Sequence, residues 1–159
     1  MPSTPIPALI GPRQVVLVTC RGSVQKQFSA EREERDNITP VNWHMPCSAG
    51  RYAIALHTRS FSAQLIRQSG SFVVNFIPET MKAIAEACGA VSGAAADKFG
   101  RFSIAAEAAE KIDAPRLRGA LGFLECSVVQ QVPCDDYLLF IGTILHKKLR
   151  DGSARRLIL

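Results

Sequence analysis

Three short stretches bring together side chains of the kinds that hold a cofactor. Residues 37–46 read Asn-Ile-Thr-Pro-Val-Asn-Trp-His-Met-Pro. Asn37 and Thr39 place an amide and a hydroxyl at alternate positions of an extended segment, ahead of the only tryptophan, Trp43, and of His44 and Met45. Residues 59–62 read Arg-Ser-Phe-Ser at a predicted helix start, where Arg59, Ser60, Ser62 and unbonded backbone N–H groups suit a phosphate. Asp97-Lys98-Phe99 lies in a predicted loop and offers an ammonium group to an anion. Taken singly, each stretch also fits a plain structural role. Trp43 can be core, Ser60 and Ser62 helix caps, and Lys98 a solvated charge.

Self-sufficient catalytic machinery is missing. The chain has no Gly-x-Gly-x-x-Gly, no Gly-x-x-x-x-Gly-Lys-Ser/Thr and no Gly-x-Ser-x-Gly. Glu33 and Glu34 fall in a charged stretch where solvation is the ordinary fate. The five cysteines are odd in number and none are spaced Cys-x-x-Cys, which argues against a disulfide framework or a zinc site. Most of them read as buried small apolar residues. His44, His57 and His146 form no local metal motif, though distant residues can still assemble one. A reaction on this chain would therefore rest on a cofactor.

The elements that must position these groups are mostly strands. With 159 residues, 47% hydrophobic and 21% charged, the chain has the length and composition of one globular domain, 1–159. Strands are predicted over 14–20, 38–43, 52–58, 71–77, 121–132 and 137–145, with another starting at 155–159. A short helix carries Leu65 and Ile66 and stops at Gly70. A second opens after Pro78, with Met81, Ile84, Ala85 and Cys88 on one face and Gly89 as its C′ residue. Residues 21–36 read as an exposed loop or hairpin tip, 92–103 as a loop with one turn, and 105–111 as a helical turn. Asp135–Asp136 and Asp151–Gly152 read as turns, the second of them a hairpin. Strict strand–helix alternation is absent, so a mainly β barrel fits better than a doubly wound sheet.

Composition also limits location and partners. No apolar run reaches the roughly 20 residues of a membrane helix. Residues 1–10 hold three prolines and no basic segment, unlike a secretory signal, and the expectation is a cytoplasmic protein. The net charge of +5 comes mostly from residues 146–156, where five Lys and Arg face Asp151 alone. That run reads either as a solvated hairpin or as an anion site. A nucleic-acid module is disfavoured, since no Trp, Tyr or Phe lies within the run. The apolar end Arg-Arg-Leu-Ile-Leu predicts a sheet edge that either a second subunit or a further stretch of the natural domain would cover, and the expectation is a homodimer.

In order and together, these stretches resemble the flavin reductase-like family, the FMN-binding split barrels that include flavoredoxin. The resemblance runs through PRQVVLVTC (12–20), NITPVNWHMP (37–46), YAIALHTRSFSAQLI (52–66), SGSFVVNF (69–76), CGAVSGAAADKF (88–99), DAP (113–115), LECSVV (124–129) and LLFIG (138–142). It implies a split β-barrel with a few short helices and a homodimer with one FMN per subunit near the subunit interface, FAD being the alternative flavin. It further implies electron transfer from NADH or NADPH through the flavin to a small-molecule or protein acceptor. A flavoredoxin-type carrier without nicotinamide turnover is the nearest rival. By resemblance, Asn37 and Trp43 contact the flavin, with Thr39, His44 and Met45 beside them. Arg59, Ser60 and Ser62 surround the phosphate, and Asp97 and Lys98 mark the remaining contact, Lys98 favouring negative charge on the reduced ring. No catalytic side chain is implied. The sequence departs from the family pattern in three places. It has Asp135-Asp136-Tyr137 where a histidine is usual, the stretch 24–36 is longer, and the family's C-terminal segment is missing beyond Leu159.

Overall fold

The computed structural model describes residues 10–159. The reading of residues 1–10 as free of a signal falls outside them apart from Ile10.

Among the described residues nine strands form: β1 (Val16–Gln25), β2 (Arg32–Val41), β3 (His44–Ser48), β4 (Arg51–His57), β5 (Ser71–Phe76), β6 (Ala106–Ala108), β7 (Pro115–Leu117), β8 (Gly122–Cys134) and β9 (Tyr137–Leu149). Helix α1 spans Phe61–Ser69, α2 Lys82–Ala90 and α3 Lys98–Arg101. Seven strands make one sheet in the order β2-β1-β5-β8-β9-β4-β3, with every pairing antiparallel. Its two edges, β2 and β3, are consecutive in the chain and joined only by Asn42 and Trp43. The chain thus passes directly from one edge of the sheet to the other at that corner, and Ala55 N–H donates to the Trp43 carbonyl at 2.9 Å, one step beyond the β3–β4 ladder. This mainly antiparallel barrel is the predicted fold class.

The strand β1 is buried on both faces, which is why its first half reads as an unbroken apolar run. Val16, Val18 and Cys20 face the barrel interior with Ile54, Phe72, Val74 and Phe140, and α1 closes that core with Ala63, Leu65 and Ile66. Val15 and Leu17 face outward beneath α2, with Ile38, Ala85, Cys88 and Leu117.

Five local expectations change. Residues 21–36, expected as a loop or hairpin tip, are mostly the paired outer halves of β1 and β2, and only 26–31 form the tip. Their charges meet across the strands, as with Arg21 opposite Asp36 at 2.7 Å. Gly89 lies inside α2, and its missing Cβ makes room for Pro40, whose Cγ would stand 3.1 Å away. Residues 106–108 form strand β6 against β7 instead of a helical turn. Asp151–Gly152 makes no hairpin: Asp151 accepts the Ser153 N–H at 2.8 Å and turns the chain away from β9. Finally, residues 155–159 are no open edge. Arg13 and Val15 donate to the Leu159 and Leu157 carbonyls, Leu157 donates to Ile77, and Leu157 is buried.

Candidate cofactor site

The second half of β2 sets the site. Its period of two puts Asn37, Thr39 and Val41 on one face, towards the start of α1, and Ile38 and Pro40 on the other, towards α2. Asn37 is 2% exposed, and its Nδ2 donates to the Ser62 Oγ at 2.8 Å. Its Oδ1 is buried without a hydrogen-bond partner among the described residues. Gly93 packs on that amide so closely that a Cβ there would fall 2.1 Å from Oδ1. The 92–97 loop is held in place by Arg35, whose Nη2 donates to the Gly93 carbonyl at 2.8 Å.

Thr39, Trp43 and Ser60 line one cavity of about 440 Å³, together with Asn42, His57 and Tyr137. That volume is in the range of small-molecule and cofactor sites. Trp43 and Tyr137 make an aromatic wall, with ring centroids 4.9 Å apart and planes at 46°. His57 meets the same tyrosine edge-on at 5.7 Å. Opposite that polar and aromatic wall stands the amino end of α1. Ser60 is its N-cap, accepting from the Ala63 N–H at 3.1 Å. The first N–H groups of the helix have no preceding carbonyl to bond and carry the positive end of its dipole. Arg59 precedes the cap and is exposed.

The remaining predicted residues lie elsewhere. Lys98 begins α3 and is 3% exposed, so it is neither a loop residue nor a surface charge. Its Nζ donates to the carbonyls of Ile38 at 2.9 Å and Cys88 at 2.8 Å, tying the site strand to α2. Burial lowers its pKa. Asp97 precedes it and lines a different cavity of about 700 Å³, with Arg21, Arg35, Asp36 and Phe99. The ring of His44 is held between the Tyr52 hydroxyl, 2.7 Å from Nδ1, and the Gln14 carbonyl, 2.8 Å from Nε2. Burial lowers its pKa, so the neutral ring donates from Nε2 and accepts at Nδ1. His44 does not line the 440 Å³ cavity, nor does the exposed Met45. His57 was missed as a site residue, and Tyr137 was singled out only as standing where the family's histidine is usual. The signal for both is their pairing across β4 and β9, His57 opposite Tyr137, which no local window displays. Among the described residues there is no cluster of metal-ligating side chains and no helix long and apolar enough to cross a membrane.

An antiparallel barrel, with a cofactor-sized cavity between a strand end and a helix amino end, defines the class of protein. The chain belongs to the flavin reductase-like family, whose domain matches residues 11–159. A protein of unassigned role from Archaeoglobus fulgidus is 32% identical over 118 residues, covering 71% of this chain and 65% of that one. The chain thus spans less than two thirds of that relative. Among solved structures, flavoredoxin of Desulfovibrio vulgaris (Miyazaki F) superposes with a TM-score of 0.72 at 24% identity, covering 89% of this chain and 72% of its own. A Streptomyces globisporus NADH:FAD oxidoreductase superposes with a TM-score of 0.78 at 16% identity, covering 94% and 82%. At these identities the likeness is one of fold.

Proposed function

We propose that the chain is an FMN-binding oxidoreductase, a flavin reductase that draws on NADH or NADPH and passes electrons to a small-molecule or protein acceptor. The observation that carries this reading is the 440 Å³ cavity, which sets a helix amino end against an aromatic wall. Ser60, Arg59 and the first turn of α1 would take the phosphate. Trp43 and Tyr137 would flank the ring system, and Thr39 would hydrogen-bond to it or to its side chain. The cavity residues include no acid–base pair and no activated nucleophile. Bound flavin would supply the hydride chemistry, while the protein binds, orients and excludes water. FAD fits the same reading through its FMN half. A cytoplasmic homodimer completes the proposal, with the exposed Met45, Val129 and Leu145 as apolar surface for a second copy.

An absorbance spectrum of the desalted protein, with FMN added before desalting, tests it. Flavin bands that stay with the protein and bleach with NADH or NADPH are expected. Bands that bleach only with dithionite overturn the reductase in favour of a carrier, and no retained or turned-over flavin overturns both. Light scattering of the same sample at micromolar concentration should give twice the chain mass, and a monomer sinks the homodimer.

A further inference from the structure

Strands β5, β8 and β9 frame another cavity, of about 400 Å³, at the end of β5 remote from α1. Phe76, Gly122 and Leu149 stand opposite one another across the three strands, and Leu124 stands opposite Lys147. Side chains two apart share a face, so these residues line one surface. Phe76 and Leu124 pack on the interior core, which makes that surface the inside of the barrel at its open end. Lys147 shares that face with Leu124 and stands exposed at its rim, above apolar walls. Lys148 and Arg156 complete the rim.

None of the three cations is ion-paired among the described residues. Asp151, whose carboxylate feels Arg156, is bonded to Ser153. Leu149 leaves 65% of its surface in water. An apolar hollow ringed by unpaired positive charge is complementary to a small molecule with an apolar body and one anionic head. The volume suits a small ligand and not a macromolecule. This cavity shares no lining residue with the one between β2 and α1.

We infer that the open end of the barrel is a second ligand site, separate from the flavin cavity, for an apolar monocarboxylate. The carboxylate pairs with Lys147 and Arg156, and the body covers Phe76, Leu124 and Leu149.

Titration with decanoate, followed by calorimetry and by methyl NMR shifts of Leu124 and Leu149, tests the inference. One decanoate per chain is expected, with decanol binding about tenfold more weakly. A Lys147→Glu/Arg156→Glu variant should lose about tenfold in decanoate affinity, whether or not FMN binds. Lys147→Gln alone, milder for folding, should lose part of it, and circular dichroism checks that both variants are folded. Equal binding of decanoate and decanol, or wild-type affinity in the folded variants, overturns the site. Displacement of decanoate by FMN overturns its separateness. Binding that appears only on dilution would assign the surface to a second copy of the chain and also overturn it.

Discussion

Lys98 shows how a residue can be found by its neighbours in sequence and still be misplaced by them. The Asp-Lys-Phe stretch drew attention as an anion contact, yet the ammonium group is spent on two carbonyls, of Ile38 and Cys88. Only the fold brings those carbonyls together, since Ile38 is 60 residues away in the chain. Lys98 thus bears on the site by fixing the strand that carries Asn37 and Thr39. A pH experiment separates it from other groups. Because burial lowers its pKa, the folded chain sheds this proton below the ordinary lysine value of 10.5, while the unfolded chain keeps it. Lys98 therefore makes stability rise with pH between its lowered value and 10.5. Cys20 and Cys126, raised by burial from 9.0 to about 12, and Tyr52, raised from 10.0 to about 12, act the other way. The unfolded chain loses those protons first, so stability falls above the ordinary values of these groups. Lys98→Met should cost about 1–3 kcal/mol near neutrality by orphaning two carbonyls. It should also steepen the alkaline fall, as read from urea unfolding between about pH 8 and pH 10. A parallel wild-type and variant profile would remove the charge from this account.

At the scale of elements, α1 was legible because its signals are local: a serine cap, an apolar face and a left-handed Gly70 at its end. The long hairpin of β1 and β2 was not. Its outer halves are rich in charge, and a charged window reads as a loop. What makes those residues strands is their pairing, from Arg21 opposite Asp36 to Gln25 opposite Arg32, with Lys26 and Glu31 bridging the tip. Gly89, expected as the C′ residue, misleads for another reason, since glycine marks a helix end or a close approach equally well. Here it lets α2 lie on Pro40. The double use of Ser60, as cap and as cavity wall, gives the element its test. Aspartate caps a helix as well as serine does, so Ser60→Asp should hold the unfolding free energy within about 0.5 kcal/mol. The new carboxylate would repel a phosphate at the same helix end. FMN affinity should fall at least about tenfold while riboflavin, which has no phosphate, binds as before. Loss of both ligands together would place the phosphate elsewhere.

For the whole molecule, the order of strands in the sheet is the property that sequence patterning conveys least. Strand propensities predicted a barrel, but not that β2 and β3 are its two edges joined at Asn42 and Trp43, the corner where the cavity opens. The last residues make the same point. The segment Arg-Arg-Leu-Ile-Leu was read as an edge awaiting a second subunit, because an apolar strand with no partner in sight must be covered. Its partners lie within the chain, at Arg13, Val15, Ile77 and Glu79. Leu157 enters the outer core beside Val15, Leu17, Ile77 and Ala85, under the helix that packs on β2. The segment therefore clamps the start of β1 to the end of β5 and supports the strand that carries the site. Leu157→Ala should cost about 2–5 kcal/mol, the range for emptying a buried leucine site. The loss should appear as one cooperative shift of the urea midpoint, seen alike by circular dichroism and by Trp43 fluorescence. If the fluorescence transition stays at the wild-type midpoint while another moves, the segment is an appendage and the barrel core stands without it.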